Sequence, residues 1–135
     1  MKGNNIIQEK SFAFAVRAVK LFKYLQEEKR EFVLSKQFLR CATSIGANVE
    51  ESIGGQSDKD FLSKLSIAYK EARETMYWLR LLHATDYLNQ QEADSMLTDA
   101  EELCKILGKI QVTMKTRNSK PITNYESSIT NNEDQ

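Results

Sequence analysis

Lys59, Lys70, Arg73 and Arg80 recur along one predicted helix. At 100° per residue they share an arc of roughly 80° with Ser66 and Tyr77. Cations neutralise phosphates and an aromatic among them can stack on a base, which is how sequence-tolerant sites for single-stranded nucleic acid are built. Lys36 and Arg40, outward-facing on the preceding predicted helix, extend the same reading. The alternative is a solvated face on which Lys70 pairs with Glu74, four residues further on.

Other chemistries find less support. A carboxylate-bridged di-metal bundle needs paired Glu-x-x-His motifs, and the sole histidine, His83, has Arg80 three positions before it. Cys41 and Cys104 are far apart, form no C-x-x-C pair and fall in or beside apolar stripes, so a thiol nucleophile is not indicated. Gly54-Gly55-Gln56 spells the tripeptide that release factors use at the peptidyl-transferase centre, but here it joins two predicted helices. The rest of a release factor is missing. Neither a Walker A run nor a G-x-G-x-x-G is present. The expectation is a protein without catalytic residues, metal or cofactor.

Bulk charge adds a constraint, because 19 basic and 19 acidic residues balance and any basic surface must be local. A chain of 135 residues, 41% hydrophobic and 28% charged, suits one domain with one core. The start lacks the apolar stretch of a secretory signal, no apolar run approaches the ~20 residues that span a bilayer, and no N-x-[ST] acceptor occurs. Free thiols and a cytoplasmic protein, away from the membrane, are expected.

The positioning elements follow from periodicity. Pro121 is the only proline, so nothing before it interrupts a helix on that account. From about Asn5 to Lys29, Phe12, Ala15, Val16, Val19 and Phe22 form one apolar stripe, and Phe14, Ala18, Leu21 and Leu25 a neighbouring one. So wide an apolar arc calls for more than one partner. A second helix opens near Ser35 as N-cap and aligns Phe38, Leu39, Ala42, Ile45, Gly46, Val49 and Ile53. Gly54-Gly55 closes it, glycine being able to take the left-handed conformation there. Ser57 caps a third, with Asp58 and Asp60 in its first turn and Phe61, Leu65, Ala68, Ala72, Leu79 and Leu82 in register. Asn89 and Glu92 read as a capping box opening a fourth, along which Met96, Ala100, Leu103, Leu107, Ile110 and Met114 keep a bundle seam. The fold class is all-α, an antiparallel up-and-down four-helix bundle over residues 1–117. Residues 118–135 are polar and aperiodic, a tail expected to be disordered.

Within this frame, SIGANVEESIGGQS raises the question of a glycine in mid-helix. Ala42 and Gly46 repeat the small-x-x-x-small spacing of Ala68 and Ala72, so the second and third helices are expected to cross closely there, Gly46 giving up about 1 kcal/mol of helix propensity for close approach. Asn48, on the flank of the stripe, either hydrogen-bonds to another helix or subunit or is simply half-exposed. Ile67, Trp78 and Leu81 occupy a third side of the third helix and suit a subunit interface. Alternatively, Trp78 covers the bundle's own first helix.

The run from Phe32 to Leu82, with S-I-G-A-N-V-E-E followed by K-E-A-R-E-T-x-Y-W-L, resembles the signature region of the four-helix-bundle proteins encoded in 23S ribosomal RNA intervening sequences, also labelled S23 ribosomal proteins. Ser44 to Glu51 match the signature, while Cys41 stands where a smaller residue is expected. The resemblance implies a ring-shaped homopentamer. It also implies kinship with the accessory protein of diversity-generating retroelements, a similar pentamer that binds nucleic acid and works with a reverse transcriptase. The ribosomal label reflects gene location and does not make the chain a ribosome component. Two functions stand against each other: RNA or structured nucleic-acid binding, and a protein-interaction scaffold whose basic residues only solubilise it.

Overall fold

The computed structural model describes residues 2–119, with side chains from Ile6 to Arg117. Four helices follow one another: α1 (Lys2–Glu27), α2 (Leu34–Ile53), α3 (Asp58–Ala84) and α4 (Gln90–Ser119). Each packs on the next, and α4 returns along α1 to close an antiparallel up-and-down bundle. The remainder of the expected tail, residues 120–135, lies outside the described residues.

The two apolar stripes of α1 have separate fates. Phe14, Ala18 and Leu25 are buried in the core, with Leu21 packed against it, whereas Phe12, Val16 and Val19 are 70%, 40% and 38% exposed. From α2, Phe38, Ala42, Ile45 and Val49 enter the core, but Ile53, expected in the same stripe, is largely outside it. Leu65, Ala68, Ala72, Leu79 and Leu82 of α3 and Ala100, Leu103 and Leu107 of α4 complete the core. Each fully buried leucine or phenylalanine contributes about 1.5–3 kcal/mol, so this apolar seam outweighs any single polar contact on the surface.

The helix ends explain the short connections. Ser57 Oγ accepts from the Asp60 N–H at 3.1 Å. Asn89 and Glu92 exchange bonds of 2.8 Å in both directions, a full capping box. The N-terminus of α2 differs from expectation. Its cap position is Val33, and Ser35 lies inside the helix with its hydroxyl donating to the Glu31 carbonyl. The buried Glu31 carboxylate takes the capping role instead, accepting from the N–H groups of Val33, Leu34 and Ser35 at 3.1, 2.8 and 2.6 Å. Burial opposes its ionisation, yet those N–H groups hold its pKa below the usual carboxylate range.

Left-handed backbone also falls elsewhere than expected. No described glycine has positive φ, and Gly54 sits at φ −86°; Arg30 (φ 56°) and Asp86 (φ 69°) turn the chain after α1 and α3. These turns return the Glu31 N–H to the Leu25 carbonyl and the Tyr87 N–H to that of Leu82, both at 2.9 Å.

Gly46 does permit a close approach, but to α1. A Cβ at Gly46 would stand 3.3 Å from the Ser11 carbonyl oxygen, so the expected crossing with Ala68 and Ala72 is not what the glycine serves. Ala42, Ala68 and Ala72 are fully buried core residues. The α1–α4 side is joined by charge: Arg17 pairs with Asp99 and donates to Ser95 Oγ at 2.7 Å, and Lys10 meets Glu102 at 3.2 Å.

Candidate nucleic-acid interface

Lys59, Lys70, Arg73, Tyr77 and Arg80 are all exposed on α3, with Ser66 half-buried among them. The helical spacing thus delivers the expected face. Among the described residues no carboxylate lies within 4.0 Å of these four cations, whereas Lys10, Arg17, Arg40 and Lys64 each meet an acid on a neighbouring helix. The Lys70–Glu74 pair considered from the sequence is not formed. Glu74 Oε2 instead accepts from Arg40 at 2.8 Å and from the Trp78 indole N–H at 2.9 Å.

That arrangement separates Arg40 from the site. Its guanidinium reaches from α2 to Glu74, with Glu71 at 3.7 Å, so its charge is largely compensated at the α2–α3 seam. Lys36, one turn earlier, is exposed. Tyr77 is 52% exposed and meets the Trp78 ring edge-on, with centroids 5.0 Å apart.

The possible interface residues also diverge. Trp78 is half-buried and packs on the bundle's own core, Leu81 is half-buried, and Ile67 is 38% exposed. Asn48 donates to the Ser44 carbonyl at 2.9 Å and the Ser44 hydroxyl at 3.0 Å, bonds within its own helix that satisfy its amide N–H groups.

The basic face extends across a helix boundary. Arg73 and Tyr69 of α3 line a groove of about 660 Å³ together with Cys104, Lys105, Gly108 and Lys109 of α4. Lys105 and Lys109, absent from the sequence-based site, lie on the α4 flank away from Ala100, Leu103 and Leu107. Only knowledge of which flank meets α3 assigns them to this face. Glu101 also lines the groove, leaving three cations to one acid.

Both thiols are shifted towards the neutral form. Burial pushes Cys41 up to about 11, while its sulfur receives the Thr75 hydroxyl at 3.2 Å. Burial raises Cys104 as well, with Arg73 opposing the shift and Glu101 adding to it. His83 sits in the last turn of α3, and no cluster of three or more metal-ligating side chains occurs among the described residues. No described helix is long and apolar enough to cross a membrane.

None of the curated proteins compared with the chain matches it. A crystal structure of a protein of unknown function from the S23 ribosomal protein family of Bacteroides thetaiotaomicron is 49% identical, with a TM-score of 0.80, covering 81% of this chain and 97% of that one. Residues 3–109 match the family described as 23S rRNA-intervening sequence protein. With that match spanning the helices that build both the core and the basic face, the chain belongs to the 23S rRNA-intervening sequence protein family.

Proposed function

We propose that this is a non-enzymatic, cytoplasmic homo-oligomer, five copies by its family resemblance, that binds RNA or other structured nucleic acid through the outer face of α3. The observation that carries the reading is the row of exposed cations, Lys59, Lys70, Arg73 and Arg80, on one arc of α3, none with a described carboxylate within 4.0 Å. A repeated modest patch becomes a strong field in a symmetric assembly. The resemblance to the accessory protein of diversity-generating retroelements supports the same combination of oligomer and nucleic acid.

A second reading, a protein-interaction scaffold, draws on Phe12, Val16 and Val19, three exposed apolar side chains in helical register on α1. A labelled-RNA shift measured across salt separates the two. Binding should fall with a log-log slope of about −0.7 per phosphate contact for single strands, and Arg73→Gln with Arg80→Gln should weaken it and flatten the slope. Tyr77→Ala should weaken binding by ~1–3 kcal/mol with little change in slope. No binding at low salt, or unchanged binding by the arginine variants, leaves the scaffold reading in its place.

A further inference from the structure

Where α3 meets α4 the surface forms an open, shallow groove that carries cations from both helices. One lip carries Arg73, the other Lys105 and Lys109, and Cys104 and the Tyr69 ring line it between them. Gly108 faces that ring, and a Cβ there would stand 3.6 Å from Tyr69 Cε1, an ordinary van der Waals contact. Exposed Val112 continues the α4 wall towards the helix's C-terminal end, and Tyr77 lies on the outer face of α3 one turn beyond Arg73.

Resting on the nucleic-acid reading above, we infer that this α3/α4 groove seats a single-stranded segment of RNA, its phosphates between Arg73 and the Lys105/Lys109 lip and a base stacked at Tyr77. Charge complementarity selects a polyanion, and the exposed Tyr77 ring selects a single strand. Packed helix axes are only ~8–10 Å apart. A duplex laid across such lips keeps its bases stacked inside and offers an aromatic ring nothing to stack on, whereas every base of an unpaired strand presents a face. The α3 cations from Lys59 to Arg80 extend over about 30 Å of helix at 1.5 Å per residue, which suits roughly four to eight nucleotides. Contacts to phosphates and to base faces make the expected binding tolerant of sequence.

The half-buried Cys104 thiol is a natural reporter of occupancy, and the fully buried Cys41 an internal control. The test uses the full chain with a fluorescein-labelled eight-residue oligouridylate, read by anisotropy at low salt, while maleimide modification of each cysteine is followed by peptide mass. Saturating oligomer should slow Cys104 modification by about tenfold when nine-tenths of the protein is bound. Lys105→Gln with Lys109→Gln, both at exposed positions, should weaken binding and flatten the salt slope by about 0.7 for each contact removed. A hairpin duplex should compete less well than the single strand. Failure of the oligomer to bind at low salt overturns the nucleic-acid reading and this inference with it. Binding with unchanged Cys104 reactivity and parental affinity in the lysine variant overturns the groove alone, and better competition by the duplex overturns the single-strand assignment.

Discussion

The two helical hairpins, α1–α2 and α3–α4, use the same devices and present opposite exteriors. In each, a non-glycine residue at positive φ turns the chain, Arg30 in one and Asp86 in the other. A glutamate then serves the start of the following helix, Glu31 by accepting from the first N–H groups of α2 and Glu92 by accepting from the Asn89 N–H before α4, and a glycine of that helix faces the preceding one, Gly46 or Gly108. Yet Gly46 looks onto the Ser11 backbone at 3.3 Å, and Gly108 onto the edge of the Tyr69 ring at 3.6 Å. On their outer sides, α1 shows Phe12, Val16 and Val19 while α3 shows Lys70, Arg73 and Arg80. The lesson is that the hairpin backbone leaves the exterior free to specialise, and that a contact limited by backbone is less adjustable than one limited by a side chain.

The largest effect expected comes from exchanging exteriors. If copies meet on the exposed apolar stripe of α1 rather than leaving it for another protein, Phe12→Glu with Val16→Glu should convert the proposed oligomer to monomers in light scattering while leaving helical content intact. Arg73→Gln with Arg80→Gln should leave the mass unchanged and lower nucleic-acid affinity. If either variant changes both readouts, the two faces are not independent. If the parent itself scatters as a monomer at micromolar concentration, the assembly proposal fails.

Next in size is the contrast between the glycines. Gly46→Leu should lower unfolding free energy by about 1–3 kcal/mol through overpacking against the Ser11 backbone. With alanine the pair should diverge: Gly108→Ala gains up to about 1 kcal/mol of helix propensity, whereas at Gly46 the tight carbonyl contact offsets that gain. Denaturant melts of the two alanine variants check this, and equal stabilisation would show that α1 yields at Ser11.

The two caps should differ less. Glu31→Gln removes a buried carboxylate that serves three N–H groups and should cost about 1–2 kcal/mol at neutral pH, against less than about 1 for the more exposed Glu92→Gln. Because the folded-state pKa of Glu31 is lowered, its contribution is full above the unfolded value of about 4.3 and is lost as pH falls through the folded value. The gap between parent and Glu31→Gln in urea midpoint should therefore narrow from pH 7 to pH 3. The smallest effects belong to the turns, where Arg30→Gly and Asp86→Gly should each raise the melting temperature slightly, by relief of up to about 1 kcal/mol of left-handed strain.

These pairs also mark what the sequence made legible. Ser57 and the Asn89–Glu92 box were readable because capping is a rule of local spacing. Glu31 was not, since it lies four residues before Ser35 and acts from outside the helix through its own turn. Periodicity located both stripes of α1 but gave no way to choose the inner one, as Phe12 and Phe14 are equally apolar; the choice depends on where α2 and α4 lie. The partner of Gly46 was hidden for the same reason, small residues on α1 and α3 being equally eligible. The α3 cations were plain from one helix, but the second lip of the groove required the rotational setting of α4 against α3, which no single-helix pattern contains.

The Arg17 clasp bears on how the molecule comes apart. Besides the shared core, α4 is tied to α1 by Arg17 with Asp99 and by Lys10 with Glu102, charged side chains 40% to 50% open to solvent, and Arg17 also reaches Ser95. Water and counterions can replace such ties one by one, so raising ionic strength loosens this seam while leaving the apolar ones intact. The outer helices α1 and α4 then open at lower cost than the two between them, and their amides should exchange hydrogen before those of α2 and α3. A helix released in this way would expose a bundle face that the same helix of another copy could fill, so high salt should favour helix-exchanged dimers if the seam opens as expected.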